Sequence, residues 1–264
     1  MPATPFSAAP FPVTPASPRP AAAPASGTLV AVAHGSRDPR ALESVSALLH
    51  RVRELRPRLD VRLGHIELSE PLLDDTLHAL PDGTRAVLVP LLLARGHHVK
   101  RDLPEAARRA PHLRIRVAAP LGPHPLLVEA LHERLLDAGT PPGTAVVLAA
   151  AGSRDPESAL DTRRTAALLA ERLGGVPVVP AYASAAAPTV PEAVRALTAR
   201  GHRVSVASCF TAPGRFAEQS AAAAPGPAAA PLGDHPALAR LVLHRYDRAA
   251  ALPRTPAERE LSPT

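Results

Sequence analysis

Two histidines and a glutamate, His34, His98 and Glu67, are the side chains whose types and spacing could do chemistry together in this sequence. Imidazole nitrogens and a carboxylate oxygen bind divalent transition metals such as Fe²⁺, Co²⁺, Ni²⁺ and Zn²⁺. A neutral imidazole can also accept a proton from a substrate, because it titrates near working pH. A lone histidine at a strand end is more often structural, so a second feature of the sequence has to indicate chemistry.

That second feature is an internal repeat. Residues 30–39 read VAVAHGSRDP and residues 147–156 read VLAAAGSRDP, 117 positions later. A repeat of this length indicates two copies of one domain. The second copy keeps the Gly-Ser-Arg-Asp-Pro run but lacks the two histidines and the glutamate. The residues opposite them are Ala151, Phe216 and Ser184. We interpret shared residues as serving the fold, and residues present in one copy as candidates for chemistry.

Two further histidines are kept in both copies. The sequence PLGPHP at 120–125 returns as PLGDHP at 231–236, which preserves His124 and His235. Both stand beside proline, where caps and turns are common. We therefore predict that these two histidines are structural capping or turn residues.

Strand and helix patterns alternate through both copies. Short apolar runs such as 28–33 and 85–93 indicate buried strands, and the apolar spacing of residues 40–55 indicates an amphipathic helix. The alternation predicts an α/β fold made of two tandem copies of a small parallel-sheet domain with helices on both faces. The first copy has a fourth strand at 113–119. The corresponding stretch of the second copy is seven residues shorter, so we expect its fourth strand to be shortened or lost.

The candidate residues all follow strand ends: His34, Glu67 and the loop 94–100. Ligands of parallel sheets bind beyond the carboxyl ends of the strands. We therefore expect His34 and His98 to lie within about 12 Å of each other, in a pocket of the first copy that faces the second. One metal is expected per chain, in the first half, with Phe216 filling the space that the second copy vacated.

Composition and pattern divide the chain into four segments. Residues 1–27 are rich in proline and alanine and predict a disordered tail. An N-terminal domain at 28–140 carries the site, a C-terminal domain at 141–250 lacks the site histidines, and 251–264 is a second tail. With 46% hydrophobic residues, the chain can form two small domains with their own cores.

Composition also limits the partners. A single cysteine excludes a disulfide framework and a multi-cysteine metal site, so a cytoplasmic location is expected. The net charge of +6 would favour nucleic acid, but aromatic residues make up only 2% and no recognition motif is present, so no nucleic-acid partner is expected. Proline interrupts every candidate signal segment, and no apolar run reaches about 18 residues, so no membrane association is expected.

Three motifs, taken in order, resemble the type II tetrapyrrole chelatases, the sirohydrochlorin chelatases of siroheme and cobalamin synthesis. The motifs are HGSRDPRA after the first strand, ELSEP after the second and PLLLARGHHVKRDLPEA after the third. The resemblance covers residues 28–250 and is to the long form, in which two fused copies replace a homodimer. It implies a monomer with an intramolecular pseudo-dimer and a lyase that inserts a divalent metal into sirohydrochlorin without ATP.

The resemblance also implies specific roles. Sirohydrochlorin and a divalent metal ion are the expected partners, with no cofactor beyond the metal substrate. Fe²⁺ insertion, giving siroheme, is the expected activity, and the cobalt chelatase of cobalamin synthesis is the alternative. His34 and His98 are the expected catalytic residues, and His34, Glu67 and His98 the expected metal ligands. His97 corresponds to a variable position, so the second histidine of the family is carried onto His98.

Carboxylates surround the rim of sirohydrochlorin and need cations or hydrogen-bond donors. The candidates near the motifs are Ser36, Arg37, Arg95 and Lys100. Ordinary solvated surface charge is the alternative for the cations, and capping at Asp38–Pro39 is the alternative for the serine. Arg154 stands opposite Arg37 in the second copy, which indicates a structural component at this position.

Two other classes of function stay open. A non-catalytic carrier of metal or tetrapyrrole would need the same pocket and would differ in showing affinity without turnover. A phosphohydrolase is the weaker alternative, because the histidine phosphatases place an arginine before the histidine that follows the strand. This sequence has Ala33 at that position.

Overall fold

The structure is a computed structural model that describes residues 27–252. The tails predicted at 1–27 and 251–264 lie outside the described residues, apart from Gly27, Ala251 and Leu252. None of the described helices is both long enough and apolar enough to cross a membrane.

The first repeat forms a four-stranded parallel sheet in the order β2-β1-β3-β4. Its elements are, in chain order, β1 (Thr28–Ala33), α1 (Pro39–Leu55), β2 (Val61–His65), α2 (Leu73–His78), β3 (Arg85–Pro90), a π-helical turn (His98–Asp102), α3 (Leu103–Arg109), β4 (Arg114–Val117) and α4 (Pro125–Asp137). The first strand is central and fully buried, as its unbroken apolar sequence predicts.

The second repeat forms a three-stranded parallel sheet in the order β6-β5-β7. Its elements are β5 (Ala145–Ala150), α5 (Pro156–Arg172), β6 (Val178–Tyr182), α6 (Val190–Ala199), β7 (Val204–Cys209), α7 (Arg215–Ala222) and α8 (Pro236–Ala251). The predicted loss of the fourth strand is confirmed, because only an isolated bridge between Val206 and Ala228 remains at that edge. The sequence patterns did not predict α7.

The repeated Gly-Ser-Arg-Asp-Pro run builds the same strand-to-helix turn in both copies. Gly35 has φ +98°, and a side chain on it would collide with the Glu67 carbonyl oxygen, 1.6 Å from an ideal Cβ position. Only glycine fits such a left-handed, crowded position. Ser36 Oγ accepts a hydrogen bond from the Asp38 N–H, and Asp38 in turn caps α1. The shared residues therefore serve the fold, as the repeat predicted.

Each repeat covers one face of the other repeat's sheet with its last helix. Helix α8 of the second repeat packs against α1, β3 and β4, and helix α4 of the first packs against α5 and β7. These helices meet each other and enclose one hydrophobic core that contains residues of both sheets. The outer faces have separate cores, under α2 and α3 in one repeat and under α6 in the other. Each repeat therefore has a core of its own, as the composition allows, but the largest core is shared between the repeats.

The two exchanged helices begin at the histidines kept in both copies. His124 Nδ1 accepts a hydrogen bond from the Leu126 N–H at 3.1 Å, and His235 Nδ1 accepts one from the Ala237 N–H at 3.2 Å. Each histidine is thus the N-cap of a helix that crosses to the other repeat. The prediction that they are structural caps is confirmed.

Candidate active site between the two repeats

A cavity of about 880 Å³ opens where the carboxyl ends of the strands of both sheets meet. The first repeat lines it with the residues after β1 and β3, among them His34 and His98. The second repeat lines it with the residues after β5 and β7, from Ala151 to Phe216. The predicted position of the site, beyond the strand ends and facing the second copy, agrees with this arrangement.

His34, Glu67 and His98 lie together on the first-repeat side. The rings of His34 and His98 are in edge-to-face contact, with centroids 4.7 Å apart. Nε2 of His34 is 3.6 Å from Oε1 of Glu67. Two connections bring these residues together: β1 and β2 end side by side, and the turn after β3 returns over the end of β1. The distance between the two histidines is well inside the expected 12 Å.

His98 begins a π-helical turn and is held there by Asp102, four residues later. Its Nδ1 lies 2.5 Å from Oδ2 of Asp102. A carboxylate can only accept, so Nδ1 carries the proton and Nε2 of the neutral ring presents its lone pair. The sequence predicted His98 in the loop 94–100, whereas the helical backbone begins at His98 itself. Single π-helical turns are frequent at functional sites.

His97 lies beside this pair and is the more exposed of the two neighbouring histidines. Its Nε2 is 3.7 Å from Oδ1 of Asp102, and its side chain is 73% exposed. Among residues 27–252, no three histidine, cysteine or acidic side chains are arranged as a metal site. Ligation of one ion by His34, Glu67 and His98 therefore stays a prediction.

Ser36 and Arg37 both line the cavity. Ser36 Oγ accepts from Asp38, as the capping alternative predicted, and its hydroxyl hydrogen is left to donate. Arg37 is exposed, and the described part of the chain offers it no ion pair. Both can therefore reach a ligand of the cavity, and their role as substrate-binding residues stays a prediction.

Arg95 and Lys100 have partners in the second repeat instead. Arg95 donates to Asp161 from its main-chain N–H, Nε and Nη2, and to Glu157 from Nη1. Lys100 Nζ lies 2.7 Å from Oδ2 of Asp155 and also contacts Glu157. Neither residue lines the cavity. Their predicted contact with substrate stays untested, while the contacts seen here join the two repeats.

Ala151, Ser184 and Phe216 line the second-repeat side of the cavity. Phe216 is the second residue of α7, and the guanidinium carbon of Arg215, the first residue, is 5.4 Å from the centre of the Phe216 ring. The aromatic ring is partly exposed and forms part of the cavity wall opposite the histidines. It does not fill a separate second pocket, because one cavity is shared by both repeats.

Sequence patterns missed three residues of this region. Asp102 could have been found from its spacing, since it follows His98 by one helical turn. Leu68 has φ +66° and exposes an apolar side chain in the cavity wall, and nothing local in the sequence indicates this. Asp161 is buried on α5 of the other repeat, so only the three-dimensional structure reveals its contact with Arg95.

These features define a class of protein: a tandem-repeat α/β protein with two parallel sheets and a histidine-bearing cavity between them. The chain belongs to the CbiX family, which matches it twice, over residues 28–138 and 145–249. Both the family and the duplication predicted from the motifs are thereby confirmed.

Relatives and solved structures agree with this assignment. The sirohydrochlorin ferrochelatase of Bacillus subtilis is 33% identical over 168 residues, which are 61% of this chain and 64% of that protein. The sirohydrochlorin cobaltochelatase of Methanocaldococcus jannaschii is 38% identical over 78 residues, 29% of this chain and 54% of that protein. The match thus spans less than two thirds of the length of these relatives. The structure of SirB from Bacillus subtilis with Fe³⁺ superposes with a TM-score of 0.71 at 26% identity, covering 86% of this chain and 96% of that one.

Proposed function

We propose that this protein is a sirohydrochlorin chelatase, a lyase that inserts a divalent metal ion into sirohydrochlorin without ATP. The observation that carries the proposal is the contact between His34 and His98 in the wall of the shared cavity. Glu67 does not line the cavity itself, but its Oε1 is 3.6 Å from Nε2 of His34. The names of the relatives from Bacillus subtilis and Methanocaldococcus jannaschii support the same reaction.

The size and the lining of the cavity suit a macrocycle. Its volume of about 880 Å³ is within the range of about 300–1,000 Å³ that small-molecule sites occupy. Leu68 of the first repeat and Phe216 of the second both line it and offer apolar contact to a ring. Arg37 and Ser36 are placed at the same cavity to bind rim carboxylates.

The histidines provide the proton chemistry. Metal insertion releases two protons from the pyrrole nitrogens, and each needs an acceptor as the metal–nitrogen bonds form. His98 can accept at Nε2 because Asp102 fixes its proton on Nδ1. Once His34 is protonated at Nε2, the Glu67 carboxylate 3.6 Å away stabilises the resulting cation. The same two imidazoles and Glu67 are suited to hold the incoming ion before transfer.

The proposed physiological metal is Fe²⁺, giving siroheme. The ferrochelatase of Bacillus subtilis supports this choice through its identity of 33% over 61% of the chain, against 29% over 62% of the chain for the cobaltochelatase of Priestia megaterium. Co²⁺ insertion for cobalamin synthesis is the second candidate, and the imidazole and carboxylate groups of the site suit either ion.

We further propose that the protein works in the cytoplasm as a monomer whose two repeats take the place of a homodimer. The exchanged helices α4 and α8 support this, because each repeat completes the sheet packing of the other within one chain. Sedimentation analysis of the purified protein should therefore give a single species with the 27.5 kDa mass of one chain.

An insertion assay tests the proposed activity. Sirohydrochlorin is supplied with Fe²⁺ under anaerobic conditions, or with Co²⁺ or Ni²⁺, and metallation is followed by absorbance above the metal-only background rate. We expect many turnovers per chain, fastest with Fe²⁺. Stoichiometric binding of metal or tetrapyrrole without turnover would instead identify a carrier, and faster turnover with Co²⁺ would identify the cobalt enzyme.

A further inference from the structure

The segment that carries His98 is hydrogen-bonded to the second repeat at Arg95, three residues before the histidine. Arg95 donates to Asp161 at 2.9 Å from its main-chain N–H, at 2.9 Å from Nε and at 2.6 Å from Nη2. Both carboxylate oxygens are therefore used, and one bond fixes the backbone of the segment itself. Next in sequence, Gly96 passes the second repeat so closely that a Cβ on it would lie 3.6 Å from Ser153 Oγ.

Asp161 is suited to act as a rigid anchor. Its side chain is only 1% exposed, on helix α5 of the other repeat. Burial alone would raise the pKa of Asp161, but the hydrogen bonds and positive charge of Arg95 outweigh it and hold that pKa below its usual value. The carboxylate therefore stays charged at neutral pH and can accept all three hydrogen bonds from Arg95.

The anchor exists on one side of the pseudo-dimer only. The residue opposite Asp161 in the first repeat is Ser44, and the residue opposite Arg95 in the second repeat is Pro213. Neither can form the equivalent ion pair. The anchor thus occurs where the histidine occurs and is absent where Phe216 replaces the histidine.

We infer that Asp161 is a positioning residue that holds His98 in its reactive place from across the repeat interface. It acts through Arg95 and touches neither metal nor tetrapyrrole. The inference rests on the proposed chelatase function and assigns the second repeat a task in catalysis, since that repeat has no site histidines of its own.

The test is the variant Asp161→Asn in the full-length protein, assayed for metal insertion. The amide keeps the volume but turns an N–H group toward Arg95 in place of one oxygen. We expect kcat to fall by about 10- to 100-fold, as for other residues that orient a reactive group. The KM for sirohydrochlorin should stay within about twofold, because the cavity wall is unchanged.

Asp247→Asn is the matched control. Asp247 forms an ion pair with Arg56 that also joins the two repeats, and neither residue lines the cavity. This variant should keep the wild-type kcat. Both variants are assayed at a temperature where circular dichroism shows them fully folded, so that a loss of kcat is not a loss of folded protein.

A double-mutant cycle with Arg95→Ala tests whether Asp161 affects kcat through its contact with Arg95. If Asp161 acts through Arg95, the double variant Arg95→Ala/Asp161→Asn should lose no more kcat than the worse single variant. Wild-type turnover together with an unchanged kcat in Asp161→Asn would overturn the inference, and so would a raised KM at constant kcat. Absence of turnover in the wild type would instead overturn the proposed function.

Discussion

The two site histidines differ in their support at the scale of single residues. His98 is oriented by Asp102 through a short hydrogen bond, whereas His34 has the more distant Glu67. His34 directly follows β1, and Ala151 directly follows the second-repeat counterpart β5, which is buried in the same way. We therefore expect that folding does not need the imidazole at position 34, and its role in chemistry stays a prediction.

Replacing His34 with alanine should lower the rate of metal insertion without lowering the stability of the fold. We expect a nearly unchanged midpoint of thermal unfolding and a modest loss of tetrapyrrole affinity, with an insertion rate lower by about 100-fold or more. His98→Ala is assayed beside it. A His34→Ala variant with near-normal insertion, next to an inactive His98→Ala variant, would assign the proton or metal role to His98 alone. Activity in both variants would place the site elsewhere.

Asp102 should matter through the orientation of His98. In Asp102→Asn the amide oxygen can still accept from Nδ1, so we expect about a 10-fold loss of kcat, whereas Asp102→Leu should lose about 100-fold. Glu105→Gln is a suitable control, because Glu105 lies on the following helix and pairs only with Arg108 and Arg109 at the surface. Equal activity of Asp102→Leu and wild type would show that His98 needs no orienting partner.

At the scale of elements, the site depends on turns whose backbone leaves no space for a side chain. Gly35 follows His34 directly and packs against the Glu67 carbonyl, so one turn fixes the spacing between β1 and the segment after β2. Gly152 has the same role in the second repeat, with φ +90° and 1.9 Å between its ideal Cβ and the Ser184 oxygen. The second repeat thus keeps the geometry of this turn although it lacks the site histidines.

Gly35→Ala should be far more damaging than Gly83→Ala. Gly83 also has a left-handed backbone, with φ +74°, but nothing lies within 4 Å of its ideal Cβ. We expect Gly83→Ala to lower the free energy of unfolding by about 1 kcal/mol from backbone strain alone. Gly35→Ala adds a collision and should lower it by about 3 kcal/mol or more. Urea denaturation of both variants measures the difference, and similar losses would refute the crowding explanation.

The strand and helix patterns predicted most of these elements, and the reasons for the misses are physical. Buried parallel strands read as apolar runs, so β1 was predicted at the residues it occupies. The π-helical turn at His98 and helix α7 lack a clear apolar period of their own. The exchange of α4 and α8 was not predictable, because an amphipathic helix shows which face is apolar and not which sheet that face will cover.

At the scale of the whole molecule, several histidines lie half-buried or buried where the repeats meet. Burial foremost, and then the charges of Arg245 and His244, lower the pKa of His124 to about 4. The pKa values of His132 and His235 are also lowered, in both cases mainly by burial. Each of these histidines is neutral in the folded protein at neutral pH, and the caps formed by His124 and His235 require the unprotonated Nδ1.

Stability should therefore fall as the solution becomes acidic. An unfolded histidine has a pKa of about 6.5, above the folded value for His124, so its contribution to stability is complete above pH 6.5 and is lost as pH falls toward 4. His124→Asn keeps a capping side chain without the titration, and it should reduce the drop in the unfolding midpoint between pH 6.5 and 4.5. His202→Asn, outside the interface, should leave the drop unchanged. An equal drop in the unfolding midpoint in the wild type and in both variants would contradict the assignment to His124.

Two ion pairs lie at equivalent positions between the repeats, and the basic and acidic partners are exchanged between them. Lys100 of the first repeat meets Glu157 of the second, while Glu218, opposite Lys100, meets Arg40, opposite Glu157. Two first repeats would bring lysine against arginine, and two second repeats would bring glutamate against glutamate. Like charges at these positions would disfavour a dimer of two identical halves. The two halves are thus no longer interchangeable, because a dimer of either half alone would carry a mismatched contact where the fused chain carries a matched one.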